Sequence, residues 1–356
     1  MEPRVIEDVA SLSGLAEAWR GLQPSIRHPF QELGWYTACA RTIGLTGGRR
    51  LKCATLWANN RLMAVLPLTL RLYKGVRLLE WMGSRVTDYC DAIVAPGVDA
   101  QEALRLLWQG LRREVSFDVL RLGHVRIDAH MSRFVDPLDH WVETRESALT
   151  IALSSPSGAD WLATRTSHAR GRARQRMRYM KKHGFEFEVW RTPEKEILDA
   201  AIEQKKAWLK ARNVDSVISG PQGTEFVRMI AEEMAVHGML HLSAVRSAKQ
   251  QIVACHVGFV RGDTFYYYLP AYDPAFASQS FGTSLREFLI MWACDQGVKK
   301  FDLLLGAHAY KLRYGAVEEK PIRTLVVPCS LLGRAAVAYY RHASASRGLS
   351  GERRTH

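Results

Sequence analysis

The sequence contains no G-x-G-x-x-G, no Walker phosphate loop, no H-E-x-x-H and no G-x-S-x-G. The signatures of dinucleotide, NTPase, zincin and α/β-hydrolase chemistry are therefore missing. It also lacks any C-x-x-C. Its six cysteines, at 39, 53, 90, 255, 294 and 329, stand apart from one another and from histidines at zinc spacing. They read as scattered reduced thiols, and no metal site is expected. Cys255 and His256 are neighbours on an expected strand, where adjacent side chains face opposite ways, so they form no local dyad. Apolar runs such as Ala64 to Leu68 and Leu303 to Leu305 are far too short to span a bilayer. Met1 to Asp8 shows no basic segment followed by an apolar one, so the expected location is the cytoplasm. Acid, finally, is missing from one long stretch: between Arg165 and Lys182 there are eight Lys or Arg residues and no Asp or Glu.

What is present points to ordinary globular structure. The 356 residues are 47% hydrophobic and include 10 Trp and 12 Tyr, enough for two cores of domain size. The formal net charge is +13, and the stretch 165–182 supplies most of the excess. Such a segment attracts anions: nucleic acid, phospholipid head groups or a phosphorylated cofactor.

Periodicity predicts mixed α/β structure in two similar passes. The first has a helix over Leu33 to Thr42 and strands over Leu51 to Trp57 and Arg61 to Leu70, joined by a turn at Ala58-Asn59-Asn60. Pro67 marks the second of these as an edge or bulged strand. A strand over Leu78 to Met82, a helix over Ala103 to Arg113 and a strand over Phe117 to Leu122 complete this pass. The second begins near Ala148, with a strand over Thr150 to Leu153 and a helix over Ala159 to Lys182 broken near Gly171. Further strands are expected over Phe185 to Trp190, Leu240 to Arg246, Gln251 to Val260, Thr264 to Leu269, Lys299 to Leu305 and Arg323 to Pro328. Helices are expected over Glu194 to Arg212 and Thr224 to His237. The Ser-, Gly- and Arg-rich tail from Ser344 to His356 reads as mobile.

Three constellations carry chemistry. In the first, Gln279-Ser280-Phe281-Gly282-Thr283-Ser284 leads from a strand into an apolar helix. Amides at a helix N-terminus carry partial positive charge and suit a pyrophosphate, and Gly282 allows close backbone approach. The same pattern also serves as plain helix punctuation. In the second, a strand ending at Gly306 is followed by His308, Tyr310, Lys311 and Arg313. Histidine suits a general base and tyrosine a proton donor, while Lys311 and Arg313 can fix an anion. Equally, these are polar residues at a strand end. In the third, Ala169, Ala173, Met177 and Met180 form an apolar stripe, so the helix can pack by one side and show Arg170, Arg172, Arg174, Arg176 and Arg178 around the rest. Only Tyr179 offers an aromatic face within this run, which argues against nucleic acid as its partner. His256 reads as a core histidine. Asp273 either binds an acceptor amine or caps its turn.

The order A-C-H-V-G-F, Y-Y-Y-L-P-A-Y-D-P, Q-S-F-G-T-S-L and F-D-L-L-L-G-x-x-x-Y-K-L-R-Y-G resembles the CelD-type branch of the GNAT acyltransferases, related to Fem-type aminoacyl transferases. The basic helix, Pro29-Phe30 with Trp35, and Asp88-Tyr89 with Asp91 are similar to that family's. The likeness covers most of the chain and is strongest from about 150 to 315. It implies an α/β fold of tandem GNAT-like halves, each a central mixed sheet flanked by helices. These halves are expected at 1–147 and at 148–330, the latter with the donor site, ahead of a C-terminal helix and basic tail at 331–356. It implies an acyltransferase moving an acyl group from acyl-CoA to an amine or hydroxyl, such as a long-chain amine base or an amino sugar of the cell envelope. The alternatives are an aminoacyl-tRNA-dependent Fem-type transferase and a non-catalytic binding module. On this reading Gln279 to Ser284 and Lys311 hold the donor. The catalytic candidates are His308, Tyr310, Tyr268 and Asp273, and the arginines of 165–182 meet an anion or the inner membrane face. Two positions depart from the family pattern. Gly306-Ala307-His308 stands where relatives commonly read Gly-Asp-Glu, and Ser284 replaces a final Gly or Ala.

Overall fold

The computed structural model describes residues 1–306 and 309–351, with side chains as far as Ala343. The chain divides into two compact units, Met1–Glu146 with Lys320–His356, and Ser147–Glu319. The expected contiguous halves 1–147 and 148–330 thus give way to an interleaved division, because the last strand of the chain pairs within the first unit.

In the first unit, β1 (Glu2–Ile6), β2 (Arg50–Ala58), β3 (Arg61–Tyr73) and β4 (Val76–Trp81) form successive antiparallel neighbours, and β5 (Ile93–Val94) pairs with β3. Next to β4 lies β6 (Val119–Arg126), paired in parallel over Leu78–Glu80 against Val119–Arg121. The second unit contains the end of β7 (Trp141–Ala152), then β8 (Glu186–Trp190), β9 (Leu240–Arg246), β10 (Ile252–Arg261), β11 (Thr264–Tyr272) and β12 (Lys300–Leu305). Its order is β8-β9-β10-β11-β12-β7, with β11–β12 the parallel pair and every other neighbour antiparallel. Finally β13 (Val317–Pro328) pairs antiparallel with β6, giving the first unit the order β1-β2-β3-β4-β6-β13. The two orders match in pairing direction, but their sixth strand follows the others in the first unit and precedes them in the second.

Local chemistry accounts for these elements. Asn59 and Asn60 take φ of 49° and 58°, the left-handed pair that a tight hairpin between β2 and β3 requires. Pro67 lies neither at an edge nor in a bulge of its own strand. It falls where one side of β3 passes from β5, at Ala64 and Val65, to β4, which starts at Leu68. A missing N–H is cheap at such a gap. The expected break at Gly171 occurs earlier: helix Gly158–Ala163 ends, Thr166 caps a new helix through Ala169 N, and Ser167–Lys182 then runs unbroken through Gly171. The helix Leu331–Gly351 takes in the start of the expected tail, and residues 352–356 lie outside the described residues. All six cysteines are free. No helix among the described residues is long and apolar enough to cross a membrane.

Each unit has its own core. In the first, Leu104, Leu107 and Leu111 of helix Ala100–Glu114 pack on Leu56, Leu66, Leu79 and Leu120 of the sheet. The residues singled out for family likeness sit in this unit as packing groups. Phe30 lies edge-on to Trp35 at 4.8 Å, Trp35 Nε1 donates to Thr87 Oγ1, and Asp91 accepts the amides of His130 and Met131. In the second unit, Leu285, Leu289, Ile290 and Ala293 of helix Phe281–Asp295 pack on Val253, Phe265 and Phe301.

Asp118 fastens the C-terminal helix to the first unit. It accepts from Arg77 at Nε, Nη2 and N, and from Ser330 Oγ. The Arg77 guanidinium holds this carboxyl well below the usual carboxylate range. Its contribution is thus present above about pH 4 and is lost as the pH falls further, which an acid titration of wild type against Asp118→Asn should reveal. A Cβ on Gly333 would lie 1.9 Å from the Asp118 carbonyl oxygen. Gly333→Ala should therefore cost about 1–3 kcal/mol in a urea melt by forcing the helix off its seat.

Candidate active site

The two strands of the parallel pair β11–β12 part soon after they meet. Their pairing covers Thr264–Tyr266 against Lys300–Asp302 and goes no further. The cause lies in β12, where the register against β7 shifts between Asp302 and Leu305 and Leu304 adopts φ +59°. A left-handed leucine costs of order 1–2 kcal/mol and must be held in place. Asp302 Oδ1 accepts the Leu304 amide at 2.8 Å. From the other side Lys311 Nζ donates to the carbonyls of Leu303, Leu304 and Leu305 at 2.7, 3.0 and 2.7 Å. Three acceptors match the ammonium's three protons, and the side chain is buried. Lys311 is therefore an internal brace, and the expectation that it binds phosphate fails.

The first unit repeats this device. The register of β13 against β6 shifts across Gly123 and His124, and His124 takes φ +57°. There the His124 carbonyl accepts Cys90 N, and His124 Nδ1 bonds the Thr87 carbonyl at 2.7 Å. The chain's own segment 87–91 closes over the bulge.

The donor loop follows β11. Asp273 Oδ1 accepts the Ala275 amide and Oδ2 accepts from Gln251, so this carboxylate caps the turn Pro274–Gln279. Ser280 turns left-handed at φ 58° and opens helix Phe281–Asp295. Its carbonyl accepts both Thr283 N and Ser284 N, at 2.9 and 3.1 Å. The two amides without a helical carbonyl to reach are those of Phe281 and Gly282. Within the expected loop Gln279 to Ser284 the anion-facing amides are thus those of Phe281 and Gly282, and Thr283 and Ser284 are engaged. The Phe281 ring is buried against Phe185 at 4.5 Å, so only its backbone is available to a ligand. A Cβ on Gly282 would press the Tyr272 ring at 3.2 Å.

Two adjoining cavities flank the helix start. The smaller, about 290 Å³, lies between Ser278, Gln279, Ser280, Phe281 and Ser284 and the basic-helix residues Arg172, Gln175 and Arg176. The larger, about 540 Å³, lies between Ser280, Thr283, Arg286 and Glu287 on one side, the basic helix on another, and Tyr310, Arg313 and Tyr314 beyond. The basic helix packs by Ala173 and Met180, with Ala169 and Met177 half-buried beside them, as its stripe predicted. Its arginines divide by face. Arg172 and Arg176 reach both cavities, whereas Arg174 and Arg178 are exposed and line neither. Arg170 Nη1 donates to the Ala163 carbonyl at 2.8 Å.

Of the tyrosine candidates, Tyr310 lines the larger cavity, and burial pushes its hydroxyl upward from the usual value, against the nearby Arg286 charge. Tyr268 does not line it. Successive strand residues face opposite ways, so Tyr268 meets Phe259 while Tyr267 stacks on His256 at 4.5 Å and faces Arg286. Burial raises Tyr267 to about 12. His308 lies outside the described residues. His256 is wholly buried, and burial holds it neutral, as a core histidine.

Two residues escaped the sequence reading. Arg286 lies 4.3 Å from the Tyr310 ring centre and donates to Tyr314 Oη at 3.1 Å. Glu287 is buried and takes both Arg176 Nε, at 3.2 Å, and Arg176 Nη2. Burial raises its carboxyl against the pull of Arg176. Two adjacent charged residues inside an otherwise apolar helix were the available signal. Replacing the brace, Lys311→Met, should cost about 2–4 kcal/mol by calorimetry, because three buried carbonyls lose their donor.

Residues 167–312 match a family model described as an acetyltransferase (GNAT) domain. No curated protein matches the chain by sequence. Among solved structures, FemX is similar at TM-score 0.60 and 12% identity, over 91% of this chain and 97% of its own. The C-terminal domain of a putative lysylphosphatidylglycerol synthetase from Agrobacterium fabrum is similar at TM-score 0.54 and 13% identity, over 92% and 96%. A tandem GNAT protein from the clavulanic acid biosynthesis pathway is similar at TM-score 0.50 and 12% identity, over 92% and 98%. At such identities the likeness is one of fold. The chain thus has the tandem GNAT-like fold, a mixed α/β architecture in which residues 167–312 match the GNAT domain model.

Proposed function

We propose that the chain is an acyl-CoA-dependent N- or O-acyltransferase of the CelD type, acting on an amine or hydroxyl of an envelope lipid or sugar precursor. The observation that carries this reading is the juxtaposition in the second unit. Parted parallel strands, a helix start with two open amides, and a cavity of about 540 Å³ adjoin one another. The residues fit the donor's pyrophosphate. The amides of Phe281 and Gly282 face it from the helix end, and Arg172 supplies charge from the basic helix. The acceptor's lone pair forms the new bond to the acyl carbon, and the carbon–sulfur bond breaks. His308 takes the acceptor's proton, a role given by sequence position alone. Tyr310 gives its proton to the departing sulfur, and burial keeps that hydroxyl protonated at neutral pH.

One observation favours a second reading. The exposed Arg174 and Arg178 line neither cavity and remain available to a polyanion such as an aminoacyl-tRNA or an anionic membrane face. An aminoacyl-tRNA donor would bind with an affinity that falls steeply with salt and would leave acyl-CoA without effect.

Thermal shift separates the readings. Coenzyme A at about a hundred times its Kd should add about 2.7 kcal/mol of stability, and Gly282→Val should abolish the gain. No response to coenzyme A or to acyl-CoAs of any chain length would overturn the donor assignment. The alkaline limb of kcat should lie above about pH 10, since the Tyr310 acid is raised from its ordinary value, and should vanish in Tyr310→Phe. His308→Ala should retain the coenzyme A shift and lose turnover. Retained turnover would remove His308 from the mechanism.

A further inference from the structure

The larger cavity is lined by a half-buried cation, Arg286, that no carboxylate pairs with among the described residues. The Arg286 guanidinium carbon lies 4.3, 5.4 and 5.5 Å from the ring centres of Tyr310, Tyr314 and Tyr267. Its Nη1 donates to Tyr314 Oη, while its Nε is buried without a hydrogen-bond partner. Among the described residues no carboxylate forms an ion pair with it, and the one carboxylate lining the cavity, Glu287, is engaged by Arg176. A charge partly withdrawn from water needs a counter-charge, which tyrosine faces supply only in part. Arg165 and Arg313 line the same cavity and add to its positive field. A fork of donors, caged by rings and open to a space of substrate size, is the arrangement that binds a carboxylate or phosphate.

We infer that Arg286 binds an oxyanion carried by the acceptor, a carboxylate or a phosphate monoester, at a position separate from the donor's pyrophosphate at Phe281 and Gly282. The inference rests on the acyltransferase reading and narrows its acceptor. A phosphorylated amino sugar or a carboxylated amine fits the cavity's charge, whereas a long-chain base without an anionic group leaves Arg286 unpaired.

The test uses the whole protein saturated with coenzyme A, so that the donor's anion site is filled, and titrates inorganic phosphate in one arm and acetate in the other at constant ionic strength. One of the two should bind, and its affinity should be unaffected by raising coenzyme A further. Arg286→Gln should weaken that binding about tenfold or more. Should Arg286→Gln fail to fold, Arg313→Ala, at an exposed position, should weaken it about threefold. The arm that responds tells phosphate from carboxylate. Binding of neither anion, displacement by coenzyme A, or affinity unchanged in the variants would overturn the inference. Failure of coenzyme A itself to bind would instead strike the acyltransferase reading on which it rests.

Discussion

The site depends on one ammonium group. Lys311 gathers the carbonyls of three successive residues at the end of β12, which can converge on a single point only because Leu304 between them is left-handed. An unpaired carbonyl trio and a buried unpaired lysine would each be prohibitive alone, and together they satisfy one another. Lys311 belongs to the short helix Ala309–Leu312, and Tyr314 N donates to its carbonyl. Fixing this lysine therefore also fixes Tyr310 and Tyr314, the rings that cage Arg286. The strained strand end and the cavity wall are one construction.

The same bulge stands in both units, at His124 and at Leu304, and their surroundings account for their different fates. Over the first, segment 87–91 lies down and spends the backbone groups in internal hydrogen bonds. Beside the second, the turn Pro274–Gln279 is capped by Asp273 and leads into a helix whose first two amides remain open. Equal backbones thus carry a bulge bonded to its own chain in one unit and border two cavities in the other. The difference was made by which loop follows the strand.

Much of this was legible before any coordinates. Strand alternation located β9 without error and most other strands to within a few residues, and the stripe at Ala169, Ala173, Met177 and Met180 named the packed face of the basic helix. What escaped was set by spatial convergence rather than by local pattern. Lys311 looks like a phosphate ligand until the left-handed Leu304 turns three carbonyls towards it. Tyr268 and Tyr267 are indistinguishable in a Tyr-Tyr-Tyr run until the register of β11 decides which one faces the helix. Arg286 and Glu287 are hidden in an apolar helix because their partners, three tyrosine rings and Arg176, lie far away in sequence. Asp273 and Phe281 matched a pattern, yet serve as a turn cap and a core ring.

The return of β13 to the first unit has a consequence for how the chain comes to be folded. Synthesis proceeds from the N-terminus, and domains generally fold as their sequence emerges. Here the strand that flanks β6 is made only after all the strands of the second unit. Residues 1–146 must wait, with the edge of β6 unpaired, while the whole of 147–319 is translated. The unit begun second holds all its own residues first. A nascent chain paused near residue 319 would therefore carry a complete second unit and a first unit that still offers an open strand edge to whatever binds one.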